Sequence, residues 1–342
     1  MQKKLTKGRL LDEKGNLMES GYAHSLVREY NRNHIKAGKT RIKEWDYYLV
    51  HNEKFGVALT VADNSYMGLE SISFLDFVNK KEKTASPMTL FPMGKTNLPS
   101  HSGEGITSFR NKQCYFSFEV EKGKRILRAG MKNFHEGHPI RMKIILTEAS
   151  RDTMVIAVPF HKPGHFYYNQ KIVGMRARGV VEYLGERYEF HPKDSYGLLD
   201  WGRGVWTYHN TWYWSALQGT VDGKVFGFNL GYGFGDTSAA SENMVFYDGK
   251  AHKLDKVKFN IPGAMEGKEE YLKPWKFASN DNRLSLDFTP IFDRKAYTSA
   301  GIILSDQHQV FGYFDGYVVL DDGTEIPVKH MLGFAEKVRN KW

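Results

Sequence analysis

The sequence has very little cysteine: Cys114 is the only one among 342 residues. A single thiol cannot form an internal disulfide, so the stapled framework of a small secreted domain is excluded. Cys114 lies in the segment KQCYFSF, where a packed apolar side chain is favoured over a nucleophile. The sequence also lacks any apolar run long enough for a spanning helix, and its charged N-terminus lacks the apolar core of a signal peptide. These absences predict a cytoplasmic protein.

Motifs for phosphates, dinucleotides and metals are incomplete. The segment AGKT lacks the earlier glycine of a P-loop, because position 33 is Asn33, and no helix is predicted after GYGFGD at residues 231–236. His135 and His138 do not have the spacing of a zinc-binding helix, and no G-x-S-x-G nucleophile turn occurs. We therefore predict neither a metal ion nor a cofactor.

The positive charge is concentrated at the N-terminus. The formal charge is +9, and residues 1–45 hold eleven Lys or Arg against five Asp or Glu. One interpretation is a weak contact with an anionic membrane surface, and the other is a solvated basic arm. No nucleic-acid signature accompanies the charge, so a nucleic-acid partner is not expected.

Strand signals dominate the remainder of the chain. The aromatic content of 14% is high, and short alternating segments are separated by turn residues, as in barrels and sandwiches. Short helices are expected only within residues 18–30 and near the C-terminus, in the segment HMLGFAEKVRNKW. The sequence therefore predicts an all-β fold of two antiparallel β-barrel or strongly curved halves with little helix.

A Pro- and Gly-containing segment at residues 161–171 predicts the joint between the two halves. The resulting division is a basic arm with a short helix at residues 1–44, a first barrel-like half at 45–165 and a second at 166–342.

One segment, Ser195–Gly219, carries an unusual density of chemical groups, including four of the seven tryptophans. Because side chains alternate faces along a strand, Trp212 and Trp214 are expected to point the same way and to form an aromatic wall. Asp200 beside such a wall would have a raised pKa unless a nearby cation such as Arg203 offset its burial. The candidate catalytic residues are Asp200, Arg203 and His209.

Residues that we expect to contact a ligand come from the same segment and from the strands after it. They are Trp201, Trp206, Tyr208, Trp212, Trp214, Asn229, Tyr232, Glu242 and Asp315. The alternative interpretation is structural: Asp200 and Arg203 would then tie a barrel corner together, and the tryptophans would be core residues. The sequence leaves both interpretations open.

The chain resembles the DUF2804 family through LLDEKGNL, GYAHSLVREYN, KEWDYYLV and LLDWGRGVWTYHNTWYWSALQG, and the likeness covers nearly the whole sequence. The family lies in a superfamily with carotenoid 1,2-hydratases, tocopherol cyclases and AttH-like proteins. This resemblance implies two lipocalin-like barrels that share an apolar pocket near their junction. The hydratase signature maps onto Leu199, Asp200, Trp201 and Gly202, but the residue that usually separates Asp from Trp is missing, as is the His after the Asp.

Three hypotheses follow for the function. An enzyme would protonate an alkene of an isoprenoid or other lipid, and water or an internal nucleophile would capture the cation. A binding protein would carry the same apolar molecule without chemistry. A structural or membrane-surface role is the third.

Overall fold

A computed structural model describes residues 2–147, 151–301 and 303–341. Within these ranges the chain forms β-strands joined by turns, with two short 3-10 segments at Arg32–His34 and Lys39–Arg41 and no α-helix. The predicted all-β fold of curved sheets is confirmed. No helix in these ranges is both long and apolar enough to cross a membrane.

The strands up to the change of sheet are, in chain order, β1 Gly8–Arg9, β2 Gly21–Ala23, β3 Arg28–Glu29, β4 Ile42–His51, β5 Phe55–Asp63, β6 Met67–Asp76, β7 Lys81–Ala85, β8 Met88–Leu90, β9 Gly105–Arg110, β10 Cys114–Glu121, β11 Lys124–His135, β12 His138–Thr147, β13 Met154–Pro159, β14 Phe166–Tyr183, β15 Glu186–Phe190 and β16 Tyr196–Val205. The later strands are β17 His209–Val221, β18 Lys224–Tyr232, β19 Met244–Tyr247, β20 Lys250–Lys253, β21 Val257–Asn260, β22 Trp275–Ser279, β23 Leu284–Ala300, β24 Ile303–Val319 and β25 Glu325–Lys341.

The first large sheet has the strand order β7-β6-β5-β4-β16-β14-β12-β11-β10-β9, and β2, β8, β13 and β15 pair along its margins. It curls so that β7 approaches β11 and β9 approaches β5. The concave face encloses a core that includes Tyr48, Phe118, Leu199 and Trp201. This sheet forms the first lipocalin-like half.

The second large sheet has the order β20-β19-β18-β17-β25-β24-β23-β22-β21, and β18 approaches β21 across the curl. Its interior is filled by aromatic side chains such as Phe228, Trp275, Phe288 and Phe314. A third core lies between the two sheets and includes Tyr47, Tyr167, Trp214 and Phe334.

The chain passes from the first sheet to the second at residues 206–208. The predicted joint at residues 161–171 instead lies between β13 and the start of β14, and both of these strands belong to the first sheet. The sheet order does not test whether 45–165 and 166–342 are separate folding units, so that division stays a prediction.

The two predicted helices are wrong. In the N-terminal segment, Tyr22 exchanges backbone hydrogen bonds with Lys3 and Leu5, and β2 pairs with β13. At the C-terminus, β25 pairs with β17 on one side and β24 on the other. Strand partners from distant parts of the chain outweigh the helical propensity in both places.

The N-terminal segment packs against the first sheet through apolar side chains. Leu5, Leu10, Leu11 and Tyr30 are buried in its core. The predicted membrane contact of the basic arm stays a prediction.

Candidate active site

A cavity of about 500 Å³ lies between the two sheets. The first sheet contributes Trp45, Tyr47, Tyr167, Lys171 and Asp200, and further walls come from both sheets and their connections. These further side chains include Trp206, Trp212, Trp214, Phe234, Glu242, Arg294, Gln309 and Glu336. The volume is in the range of small-molecule sites, and it lies at the junction that the resemblance implies.

One wall of the cavity is aromatic. Trp206 packs edge-to-face against Trp45, Trp212 and Phe234, with ring centroids 5.2, 5.8 and 4.8 Å away. Trp212 and Trp214 both face the cavity, as their spacing predicts, because they are two residues apart on β17. An aromatic wall of this kind suits an apolar or cationic guest.

An ion pair is part of the cavity lining. Lys171 on β14 is directly opposite Asp200 on β16, and Lys171 Nζ is 2.7 Å from Asp200 Oδ2. Lys171 Nζ also lies 3.8 Å from the ring centroid of Trp214. Asn169 Nδ2 donates a hydrogen bond of 2.6 Å to Asp200 Oδ1. Both carboxyl oxygens of Asp200 therefore have a polar partner, one cationic and one neutral.

Glu242 is a buried carboxyl group in the same cavity. Burial raises the pKa of Glu242, and the charge of Asp200 raises it further, while Lys171 and a hydrogen bond from Asn229 oppose the shift. Asn229 Nδ2 donates to Glu242 Oε2 over 3.2 Å, but no residue in the described ranges donates a hydrogen bond to Oε1. A carboxyl group with a raised pKa and one oxygen that accepts no hydrogen bond from the described residues is suited to general acid catalysis.

A second buried carboxyl group, Glu336 on β25, lies beside the tryptophan wall. Burial also raises the pKa of Glu336. Unlike Glu242, it accepts hydrogen bonds on both oxygens: Trp212 Nε1 donates over 2.7 Å and Gln309 Nε2 over 2.9 Å. Its contacts fix the orientation of Trp212, which suits a positioning role.

The expected pair of Asp200 and Arg203 does not form. The two residues are three apart on β16, so their side chains project from opposite faces of the strand. Arg203 instead points into the first core, where its Nη1 is 3.1 Å from Asp46 Oδ1. Trp201 points the same way, and the guanidinium carbon of Arg203 lies 4.3 Å from its ring centroid. The corner of the alternative interpretation, with Asp200 tied to Arg203, is therefore not formed by that pair, whereas Trp201 is a core residue as that interpretation expects.

The structure places several other predicted residues outside the cavity. His209 and Tyr208 are exposed where the chain changes sheet, and Asp315 is exposed where it accepts a hydrogen bond from the His330 backbone. Tyr232 stacks on Tyr213, 4.4 Å between centroids, away from the lining. Asn229 lies behind the wall, where it accepts a 2.8 Å hydrogen bond from Trp214 Nε1. Trp206, Trp212, Trp214, Glu242 and Asp200 do line the cavity.

Sequence analysis missed Lys171, Glu336, Tyr47, Tyr167 and Trp45. Lys171 falls in the segment that predicts a joint, and Glu336 falls in a segment that predicts a helix. A polar residue flanked by Phe, Ala and Val is the signal that would have marked Glu336, had the segment been interpreted as a buried strand. Among the residues that the structure describes, no three His, Cys, Asp or Glu side chains form a group suited to a metal ion.

Comparisons with known proteins agree with this architecture. Residues 2–342 match the family model described as domain of unknown function DUF2804. The crystal structure of a candidate AttH from Nitrosomonas europaea is similar with a TM-score of 0.53 and 12% identity, covering 87% of this chain and 92% of that one. Kievitone hydratase from Nectria haematococca is similar with a TM-score of 0.52 and 12% identity, covering 94% and 97%. At this identity the likeness shows the fold alone. No curated protein matches the sequence.

Proposed function

Since the chain belongs to the DUF2804 family and encloses an aromatic cavity between its sheets, we propose that it binds a hydrophobic small molecule there, an isoprenoid or another lipid, and hydrates or cyclises an alkene of that molecule by acid catalysis. The observation that carries the proposal is Glu242, a buried acid with a raised pKa and a free oxygen beside a tryptophan wall. One structural neighbour is a hydratase, which agrees with this chemistry.

The first step transfers the Glu242 proton to the alkene. The π electrons form a new C–H bond, the O–H bond of Glu242 breaks, and the second alkene carbon becomes cationic. Faces of Trp206 and Trp212 stabilise that cation. Trp214 contributes less because the Lys171 ammonium group already lies 3.8 Å from its ring centroid. In our proposal the acid is therefore Glu242, and not the catalytic candidate Asp200.

The second step captures the cation. Water, or a hydroxyl group of the ligand, forms a C–O bond and gives up its proton. In our proposal Asp200 is the base: it lines the cavity, pairs with Lys171 and accepts a hydrogen bond from Asn169. A proton returns to Glu242 through solvent, so the reaction needs no cofactor and consumes only water, or nothing when it cyclises.

The test separates binding from chemistry. Compounds released by organic solvent from the purified protein would first be identified by mass spectrometry. Each alkene found would then be incubated with the protein in deuterium oxide, since protonation places one deuterium on carbon. We expect Glu242→Gln to bind the same compounds but to lose at least about 100-fold in rate, which is typical of a lost general acid. The rate of the wild type should fall as pH rises above the Glu242 pKa, because only the protonated acid is active.

Glu70→Gln is the matched control. Burial raises the pKa of Glu70 to about 7, but this residue on β6 lies outside the cavity lining. It should retain turnover. Full turnover in Glu242→Gln would refute the assignment of the acid. Specific compounds bound without deuterium incorporation would instead support the alternative of a non-catalytic carrier.

A further inference from the structure

The first sheet contributes a continuous row of polar side chains to the cavity. Strand pairing places one lining residue of each of five neighbouring strands in register, in the order Lys171, Asp200, Tyr47, Thr60 and Ser71. Directly opposed residues of antiparallel strands share a face of the sheet, so the row begins with charged groups and ends with hydroxyl groups. The hydroxyl end of the cavity is defined here by the lining residues Thr60, Ser71, Thr84 and Ser86.

The second sheet contributes a matching row. Strand pairing there places four lining residues in register, in the order Trp214, Glu336, Gln309 and Arg294. The two rows touch at two points: Lys171 Nζ lies 3.8 Å from the ring centroid of Trp214, and the Tyr47 hydroxyl group lies 3.5 Å from Gln309 Oε1. Neighbouring strands are about 4.8 Å apart, so three strand spacings, or roughly 14 Å of sheet, separate Trp214 from Arg294.

Arg294 is a cation at the hydroxyl end of the cavity. Its Nη1 donates a hydrogen bond of 2.7 Å to Ser73 Oγ, and Ser73 lies opposite Thr84 with 2.8 Å between the two hydroxyl oxygens. Thr84 Oγ1 in turn donates over 2.6 Å to Glu82, which lies outside the cavity lining. Arg294 is half-buried, and no carboxylate of the described residues forms an ion pair with it. Its remaining N–H groups are therefore available to a ligand.

The acidic side chains of the lining lie nearer to the tryptophan wall. Glu336 lies directly opposite Trp214 but two strands from Arg294. Asp200 pairs with the lysine that contacts Trp214, and Glu242 is joined to Trp214 through hydrogen bonds of a shared asparagine. An anionic group at the tryptophan wall would meet three carboxyl groups and one ammonium group, whereas at the hydroxyl end it would meet a guanidinium group and hydroxyl groups.

A guanidinium group can donate two parallel hydrogen bonds to a carboxylate or a phosphate group. We propose that the ligand of the cavity is a long amphiphile whose anionic head group, a carboxylate or a phosphate monoester, binds Arg294, while its apolar tail reaches the tryptophan wall; the position of the tail rests on the proposed function. Head group and reacting alkene are then on the order of 14 Å apart. A hydrocarbon without a polar end would instead desolvate the guanidinium group and give it no acceptor, which weakens binding.

Fluorescence titration with cis-parinaric acid and with its methyl ester tests the head-group site. The two probes share one polyene tail, and only the acid carries a negative charge at mildly alkaline pH. We expect the wild type to bind the acid roughly 10- to 100-fold more tightly than the ester, the range for hydrogen bonds to a charged group. Arg294→Met should lose this preference but bind the ester as the wild type does. Arg294→Lys should keep part of it, because lysine retains the charge without the planar fork.

Lys276→Met is the matched control. Lys276 is an exposed cation on β22 of the same sheet, and it lies outside the cavity lining. Its loss should leave the preference for the acid unchanged. Displacement of the bound acid probe by farnesoic acid, farnesyl phosphate and farnesol then distinguishes the two head groups on one isoprenoid tail. At least one of the two anions should displace the probe at a lower concentration than farnesol, and the more effective one identifies the head group.

The outcomes separate the head-group site from the proposed function. Equal affinity of the wild type for acid and ester would overturn the head-group site while leaving an apolar cavity, and this comparison needs no variant to fold. A preference for the acid that survives in Arg294→Met would overturn it as well. An Arg294-dependent preference without deuterium incorporation into any bound alkene would support the head-group site and refute acid catalysis. Binding of neither probe would overturn both proposals.

Discussion

The Lys171–Asp200 pair gives the sharpest test of the energetics of the site. Lys171→Met keeps the aliphatic stem against Trp214 but leaves Asp200 buried without its cation, and Asp200→Asn removes the charge at nearly constant shape. At the observed 2.7 Å the attraction is about 6 kcal/mol for an effective dielectric constant of 20. Desolvation of both groups offsets part of this attraction, so a pairwise coupling of about 2–4 kcal/mol is expected.

The two single variants should lose different amounts of the free energy of unfolding. Lys171→Met should lower the free energy of unfolding by about 3–5 kcal/mol, because the carboxylate that remains lies among other buried acids. Asp200→Asn should cost less, because Lys171 keeps its contact with the ring of Trp214. The double variant should recover much of the loss, since neither unpaired charge remains.

The assay is denaturant unfolding of the four proteins at neutral pH, followed by intrinsic fluorescence and by circular dichroism. Coincident transitions and similar m-values would license the comparison. If the two single changes add to within about 0.5 kcal/mol in the double variant, the groups are not coupled. Such additivity would refute the placement of Lys171 and with it the reason for regarding Asp200 as a base.

Two further predictions concern the packing around the site and the pH dependence of stability. Gly231→Ala would place a Cβ atom 2.6 Å from Cδ and Oε1 of Glu242. Turnover of any identified substrate should fall about 100-fold, because a misplacement of a reacting group by about 1 Å typically costs that much. Unchanged turnover would show that the carboxyl group is positioned otherwise. His51 is buried, and burial lowers its pKa to about 4, below the 6.5 of the unfolded chain. The stability that neutral His51 contributes should therefore be lost as pH falls from 6.5 to 4, by up to about 3 kcal/mol. His51→Phe should remove this pH dependence in denaturant titrations at several pH values. The same pH profile in the variant and the wild type would contradict the lowered pKa of His51.

Alternation along single strands could be predicted from the sequence, whereas pairing between strands could not. Trp212 and Trp214 share a face because they are two apart, which follows from the sequence alone. The same rule, applied to Asp200 and Arg203, argues against their pairing, because they are three apart. The real partner of Asp200 is Lys171, which lies opposite it only because β14 and β16 are neighbours in the sheet. Which strands become neighbours depends on the topology of the whole sheet.

The wrong prediction of a C-terminal helix also arose because strand pairing could not be predicted from the sequence. Glu336 lies opposite Trp214 on one side and Gln309 on the other, so three distant segments meet at one position. The segment around Glu336 contains good helix formers, and local propensity alone favours a helix there. Pairing with the two long strands β17 and β24 outweighs that preference. The sequence near Glu336 does not indicate which strands these are.

The location of the site follows from how each sheet fills its own interior. In the first half, Arg125, Trp201 and Arg203 are fully buried, and the space near them is only about 10 Å³, room for one water molecule. In the second half, Phe228, Phe288 and Phe314 pack ring against ring. Lipocalin-like barrels can hold a ligand inside, but here the interiors are occupied, and the large open volume lies between the sheets. The outward faces of β4, β14, β16, β17 and β25 supply the chemical groups, together with Glu242 just before β19. This explains why a charged pair and Glu336 occur on strand faces that would otherwise meet solvent.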